Sequence, residues 1–278
     1  MPPRATGLLV IEVRNSSPGG PGRRKEGVLV RADGRGWISP FSLMERLRDL
    51  VHNKQGPVWR GFAGQFSADL DIRQFQVSGR DSGNAEGRGR AMDRFWDIRV
   101  FGQGEGMAPD RDSVVRFGLG LSVCPVRIAH AGAGEPVTAY DDQGRGKSAT
   151  GRDDRVVTHG VYAMPFFINP TAAVSSGCRP LDIELLLRLI PWVYSHTGTV
   201  LQSAVCLRHA WYMEHTSFLG SCVDLALIDA LTPVKKGDPE ESSSGWTDYQ
   251  VPRTLPRKLQ ARVKSLRDLV EEQMSCGG

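Results

Sequence analysis

No run in the sequence approaches the ~20 consecutive apolar residues of a membrane-spanning helix. The opening Met1-Pro2-Pro3-Arg4 leads into no apolar leader. Neither a membrane span nor a secretory signal is therefore expected, and a cytoplasmic location follows. The five cysteines (Cys124, Cys178, Cys206, Cys222, Cys276) form no Cys-x-x-Cys pair. That argues against a zinc knuckle and a redox dithiol, and for reduced, mostly buried thiols. The glycine-proline loop over 15–25 lacks the Gly-Lys-Ser/Thr ending of a nucleotide-binding loop, which disfavours nucleotide hydrolysis, and no Gly-x-Ser-x-Gly elbow presents a serine nucleophile. His209 and His215 are six apart with Glu214 beside the second, a spacing that fits no zinc motif. His159 lies inside an apolar run and reads as a satisfied core histidine. The pairs Asp141-Asp142 and Asp153-Asp154 lie in polar loops, where solvation is a commoner fate than magnesium binding. Without a catalytic constellation, neither an enzyme nor a cofactor is expected.

What is abundant is glycine, 32 of 278 residues, well above the ordinary share, which implies long loops between compact elements. The net charge of +4 and pI near 8.9 permit a polyanion partner without demanding one. The distribution says more, because arginines collect in glycine-rich stretches such as Gly87-Arg88-Gly89-Arg90.

Residues 6–14 (TGLLVIEVR) form a β-prone run that breaks into a glycine-proline turn followed by Arg23, Arg24 and Lys25. Ser39-Pro40 is a capped helix start. Phe41, Met44, Leu47, Leu50 and Val51 follow at helical spacing, leaving Arg46 and Arg48 outside the apolar stripe and Asp49 within reach of Arg46. Residues 95–102 (FWDIRVFG) are a dense apolar cluster. Residues 113–128, with Arg116, read as a strand that Pro125 bulges or places at an edge. Residues 131–154 form a polar loop with Arg145, Lys147 and Arg152, too long to be a plain connection and so functional or mobile. Arg155 opens a strand over 155–168. A helix over 180–194 is ended or kinked by Pro191. A strand over 203–212, a short helix over 221–231 and a charged loop over 235–244 follow. Leu255, Leu259, Val263, Leu266 and Val270 then step by three and four, predicting a tail helix over 253–275.

This order fits an α+β fold with a ferredoxin-like, RRM-like β-α-β-β-α-β core, large loop insertions and a C-terminal helix. The chain reads as one domain over 1–278, with insertions at about 54–113 and 131–154. Such a core leaves one sheet face exposed, as RNA-recognition modules do. The loop over 15–25 either offers backbone N–H groups and cations to phosphates or is a solvated turn. Arg46 and Arg48, and likewise Arg145, Arg152 and Arg155, either position a phosphate backbone or are solvated, the commoner case for surface arginines.

Seven stretches also follow one another in a recognisable order between residue 8 and about 251. The first strand with Asn15…Pro18-Gly19-Gly20-Pro21 is similar to a strand followed by Asn-x-Asn-Pro-Asn-Gly-Asp-Pro, without its aspartate. Gly36-Trp37-Ile38-Ser39 leads into Leu43-Met44-Glu45-Arg46-Leu47-Arg48-Asp49. Asp97-Ile98-Arg99-Val100-Phe101-Gly102 is the most specific of the seven. The others are Val157-Thr158-His159-Gly160-Val161-Tyr162, Leu181-Asp182-Ile183-Glu184, Tyr212 to Gly220, and Trp246-Thr247-Asp248-Tyr249-Gln250-Val251. Together they resemble the backbone subunit, of the RAMP superfamily, of type I CRISPR Cascade complexes in the I-C and I-B branch.

The resemblance implies a subunit that polymerises head to tail along the crRNA beside other Cascade subunits. Each copy would grip phosphate and sugar and leave base edges free for the target DNA strand. It implies RNA contacts from Asn15, Arg23, Arg24 and Lys25 in the glycine loop and from Arg46 and Arg48 on the first helix. Arg116, Arg145, Lys147, Arg152 and Arg155 would join them. Arg99 would touch RNA, hold the Asp97 region rigid, or simply pack. Residues 73–94 and 131–154 are the candidates for the thumb with which the family kinks its guide. Two alternatives stand beside this reading. One is a type III-like backbone subunit cleaving target RNA with magnesium through Asp69, Asp71, Asp153 or Asp154. The other is an unrelated single-copy enzyme on a ferredoxin-like core.

Overall fold

A computed structural model describes residues 1–19, 28–63, 95–102, 113–130, 136–137, 155–197 and 203–276. Among these the strands are β1 (Ala5–Ser16), β2 (Leu29–Val30), β3 (Arg35–Ile38), β4 (Val115–Phe117), β5 (Gly120–Pro125), β6 (Ile128–His130), β7 (Pro136–Val137), β8 (Arg155–Ile168), β9 (Val205–His215), β10 (Val234–Lys235), β11 (Tyr249–Gln250) and β12 (Val263–Asp268). The helices are α1 (Pro40–His52), α2 (Pro57–Ala63), α3 (Trp96–Phe101), α4 (Pro170–Ser176), α5 (Pro180–Leu189), α6 (Asp224–Leu231), α7 (Arg257–Gln260) and α8 (Leu269–Cys276).

The main sheet runs β12-β9-β1-β8-β5-β3-β2, with β4 and β6 also pairing β8. Every pairing along it is antiparallel. The strand β1 is central, and residues 5–13 are buried without interruption. Leu9, Ile11 and Val13 join the core beneath α1, α3 and α5. Leu8 and Val10 point the other way, to Trp211 and Met213 of β9, Leu227, Ile228 and Leu231 of α6, and Leu255. Burial on both faces explains why 6–14 shows an unbroken apolar run rather than an alternating one. It also corrects the expectation of an exposed sheet face, since α6 and the segment after it cover that side. Close packing reaches the backbone at Gly7, where a Cβ would lie 2.0 Å from Phe166 Cε1.

Ser39 caps α1 by accepting from Phe41 N, and Pro40 stands in its first turn. The helix α5 stops at Leu189, and Pro191 falls in a single 3₁₀ turn, Ile190–Trp192. The tail helix over 253–275 is a second correction. That stretch is α7, then β12 paired with β9, then α8. The three-four spacing of Leu255, Leu259, Val263, Leu266 and Val270 runs across three elements. The unpaired edge of β9 takes Val263–Asp268 as its partner, because backbone groups on a sheet edge gain a ladder there. Asp268 then turns the chain, its Oδ1 accepting from Val270 N as α8 begins.

Candidate nucleic-acid interface

The end of the sheet where β1 finishes and β8 and β9 start is rich in arginine. Arg14 pairs in register with His159, and Ser16 with Val157, while Asn15 between them takes φ 42°, a left-handed turn that asparagine tolerates. Ser16 Oγ accepts from Ala204 N at the entrance to β9. Arg155 lies at the same end, opposite His130 of β6.

At the centre of this end is Glu12, with a side chain only 2% exposed. Its Oε1 accepts from Arg14 Nε at 2.5 Å and Oε2 from Arg208 Nε at 2.5 Å, while His159 Nε2 stands 3.2 Å from Oε1. Burial alone would raise the Glu12 carboxyl, but these three donors outweigh it and hold it below its ordinary value. Burial lowers the His159 ring despite Glu12, so the ring is neutral near pH 7 and donates from Nε2. Its Nδ1 accepts from Ser243 Oγ at 2.7 Å, which in turn accepts from Tyr249 Oη. A Ser-His-Glu chain results, yet Ser243 is buried and bound from both sides. The chain ties the segment around 243–249 to the sheet.

The two arginines differ from the rest of the network in exposure, Arg14 being 53% and Arg208 35% exposed at the side chain. One buried carboxylate thus fixes two outward guanidinium groups, which leaves this cluster a net positive charge. Arg208 also lies over the Trp246 ring, its Cζ 5.1 Å from the centroid. Neither arginine nor Trp246 was an expected contact, because the feature that selects them is a glutamate inside an apolar run, legible only when β1, β8 and β9 are side by side.

Of the expected contacts, Asn15 and Arg155 lie at this end. Arg46 does not fall outside the buried stripe. It is 0% exposed, with Nη1 donating to Thr197 O and Nη2 to Gly19 O, and its guanidinium over Tyr194. Pinned so, it clamps the chain leaving β1 to the chain approaching β9. Arg48 pairs with Asp97 at 3.0 Å. Arg99 is buried and grips Asp182 on α5 through Nε at 3.1 Å and Nη2 at 2.8 Å. The DIRVFG stretch is therefore a latch joining α1, α3 and α5, closed by Gly102 at φ 81°. Arg116 pairs opposite Phe167, about 40 Å along β8 from Arg155 at the usual rise per residue, so the two do not share a site. Arg23, Arg24, Lys25, Arg145, Lys147 and Arg152 lie outside the described residues. So do Asp69, Asp71, Asp153 and Asp154, and both thumb candidates, apart from Pro136–Val137.

Among the described residues one group, His209, Asp268 and Glu271, has ligand atoms close enough for a metal. Asp268 already accepts from His209 Nδ1, Ala210 N and Val270 N, and Glu271 pairs with Arg253. These bonds account for the group as a β12–α8 corner. No described helix is long and apolar enough to cross a membrane.

Taken together, these features define an α+β protein whose broad antiparallel sheet carries a basic end. Residues 4–254 match the family of the CRISPR-associated protein Cas7, and the chain belongs to that family. No curated protein matches it in sequence. One solved chain, from a "CRISPR RNA-guided surveillance complex, pre-nicking", is 12% identical with a TM-score of 0.38, covering 77% of this chain and 79% of that one. Another, from a "CRISPR RNA-guided surveillance complex", is 13% identical with a TM-score of 0.40, covering 86% of this chain and 78% of that one. At such scores the membership rests on the sequence match alone.

Proposed function

We propose that this chain is a crRNA-binding backbone subunit of a type I surveillance complex, polymerising head to tail along its guide, and that it is not an enzyme. The observation that carries this reading is the pair of outward arginines, Arg14 and Arg208, fixed by the buried Glu12 at the sheet end. Guanidinium groups held in this way suit phosphate, which a backbone subunit must grip without covering base edges. The described chain leaves this end at Gly19, ahead of Arg23, Arg24 and Lys25 in sequence, and resumes there at Arg155, after Arg145, Lys147 and Arg152. The strand order β9-β1-β8-β5, with α1 and α5 in the crossovers, supports a ferredoxin-like core. Against catalysis stands the engagement of His159, His209 and His215, each buried against a carboxylate.

The test is a salt series on oligoribonucleotide binding. Arg14→Gln and Arg208→Gln should each weaken binding and reduce the slope of log K against log salt by about 0.7 per lost phosphate contact on a single strand. Wild-type affinity and slope in the folded double variant would remove the interface from this end of the sheet.

A further inference from the structure

Behind Arg208 the structure builds a column of planar groups. The guanidinium lies 5.1 Å from the Trp246 ring, Trp246 lies 6.1 Å from His209, and His209 stacks on Trp211 at 5.1 Å with planes 5° apart. Trp211 and His209 are buried, Trp246 is half-buried, and Arg208 is the outer member. The column is held from below as well, since Asp268 Oδ2 fixes His209 Nδ1 at 2.6 Å. Arg208 is also fixed at one edge, because both Nε and Nη2 lie 2.5 Å from Glu12 Oε2. With that edge on Glu12 and its Cζ over the Trp246 ring, the Arg208 side chain is still 35% exposed. A guanidinium plane backed by an aromatic ring is a surface on which an unpaired base can stack, whatever its identity.

We infer that Arg208, backed by Trp246, is a stacking platform for an unpaired base of the bound RNA strand, with Arg14 beside it on the adjoining phosphate. The inference rests on the RNA-binding reading above and adds a base contact to it. A helical salt bridge or a plain phosphate contact has no need of a four-membered column. A base does, because stacking rewards a plane that is already fixed in orientation.

The experiment uses the full chain and two fluorescein-labelled probes, decauridylate and a ten-residue strand of abasic ribose phosphate, read by anisotropy. Arg208→Lys keeps the charge beside Glu12 and removes the plane. Trp246→Leu removes the backing ring and leaves the charge. Both variants should bind decauridylate about 5- to 160-fold more weakly than wild type, the range for one lost stacked base. On the abasic strand, where only phosphate contacts act, Trp246→Leu should stay within about twofold of wild type, and Arg208→Lys should lose less than it does on decauridylate. Equal losses on the two strands, or none on either, would overturn the platform while leaving RNA binding intact. Wild-type protein that binds neither strand would overturn the RNA-binding reading, and the platform with it. A melting curve for each variant separates lost binding from lost folding, and Trp246→Phe, which keeps a ring, should retain most of the affinity.

Discussion

Replacing Asp182 with alanine tests the claim that the DIRVFG stretch is a structural latch. The Asp182 side chain is fully buried and accepts from Arg99 Nε and Nη2, and from the backbone N of Arg179 at 2.8 Å, where it completes a capping arrangement at the start of α5. Without the carboxylate the Arg99 guanidinium, only 4% exposed, loses both of these buried bonds. Removing one partner of a buried pair costs about 3–5 kcal/mol, and the lost cap adds about 1 kcal/mol. Against a total stability of about 5–15 kcal/mol, this is a large fraction. At about 2–4 °C per kcal/mol for a chain of this size, the melting temperature should fall by about 10–20 °C, followed by circular dichroism. The double variant Arg99→Met with Asp182→Leu should recover most of the loss, because apolar groups of similar volume carry no desolvation cost. A single variant melting within about 3 °C of wild type, or a double variant no better than the single, would refute the latch.

Three further outcomes follow from the packing and the titrating groups. Gly7→Ala should destabilise by about 3 kcal/mol, the upper range for overpacking, because the new methyl group meets the Phe166 ring; a neutral urea midpoint would contradict it. Arg46→Met should also cost about 3 kcal/mol by removing the buried guanidinium bonds to the carbonyls of Gly19 and Thr197. It should weaken RNA binding without changing the salt slope, since Arg46 faces inward; a reduced slope would place it on phosphate after all. Acid should act in two stages. Burial holds His159 and His215 below their ordinary 6.5, so the unfolded chain takes up these protons first, and stability declines as pH falls below about 6.5. Glu12 and Asp268 are held below their ordinary 4.5 and 3.8, which adds a second loss as pH falls through those values. Urea midpoints at pH 7.5, 5.5 and 4 should show both stages, and His159→Gln should flatten the first; a midpoint unchanged between 7.5 and 5.5 would contradict the assignment.

Elements whose signals are local were readable from the sequence. The strand over 155–168 matches β8, Ser39-Pro40 opens α1, and Pro191 ends the α5 helix. Where the deciding partner is distant, the sequence misled. Arg46 looked like a surface cation because its acceptors stand 27 and 151 residues away. The tail looked helical because apolar spacing records which residues are buried and not that β9 lacked a neighbour. Of the interface, Asn15 and Arg155 were legible as polar residues at strand ends. Arg14 and Arg208 were not, since each seemed an ordinary strand arginine until Glu12 joined them. The family itself was legible because seven short motifs in order constrain a sequence more than any one does.

The central claim is most directly tested by expressing the chain, alone and with a guide RNA, and recording absorbance at 260 and 280 nm across a size-exclusion column. The account predicts nucleic-acid-rich material larger than a monomer that ribonuclease breaks down. A monomer free of RNA under both conditions, eluting unchanged after ribonuclease, would contradict it.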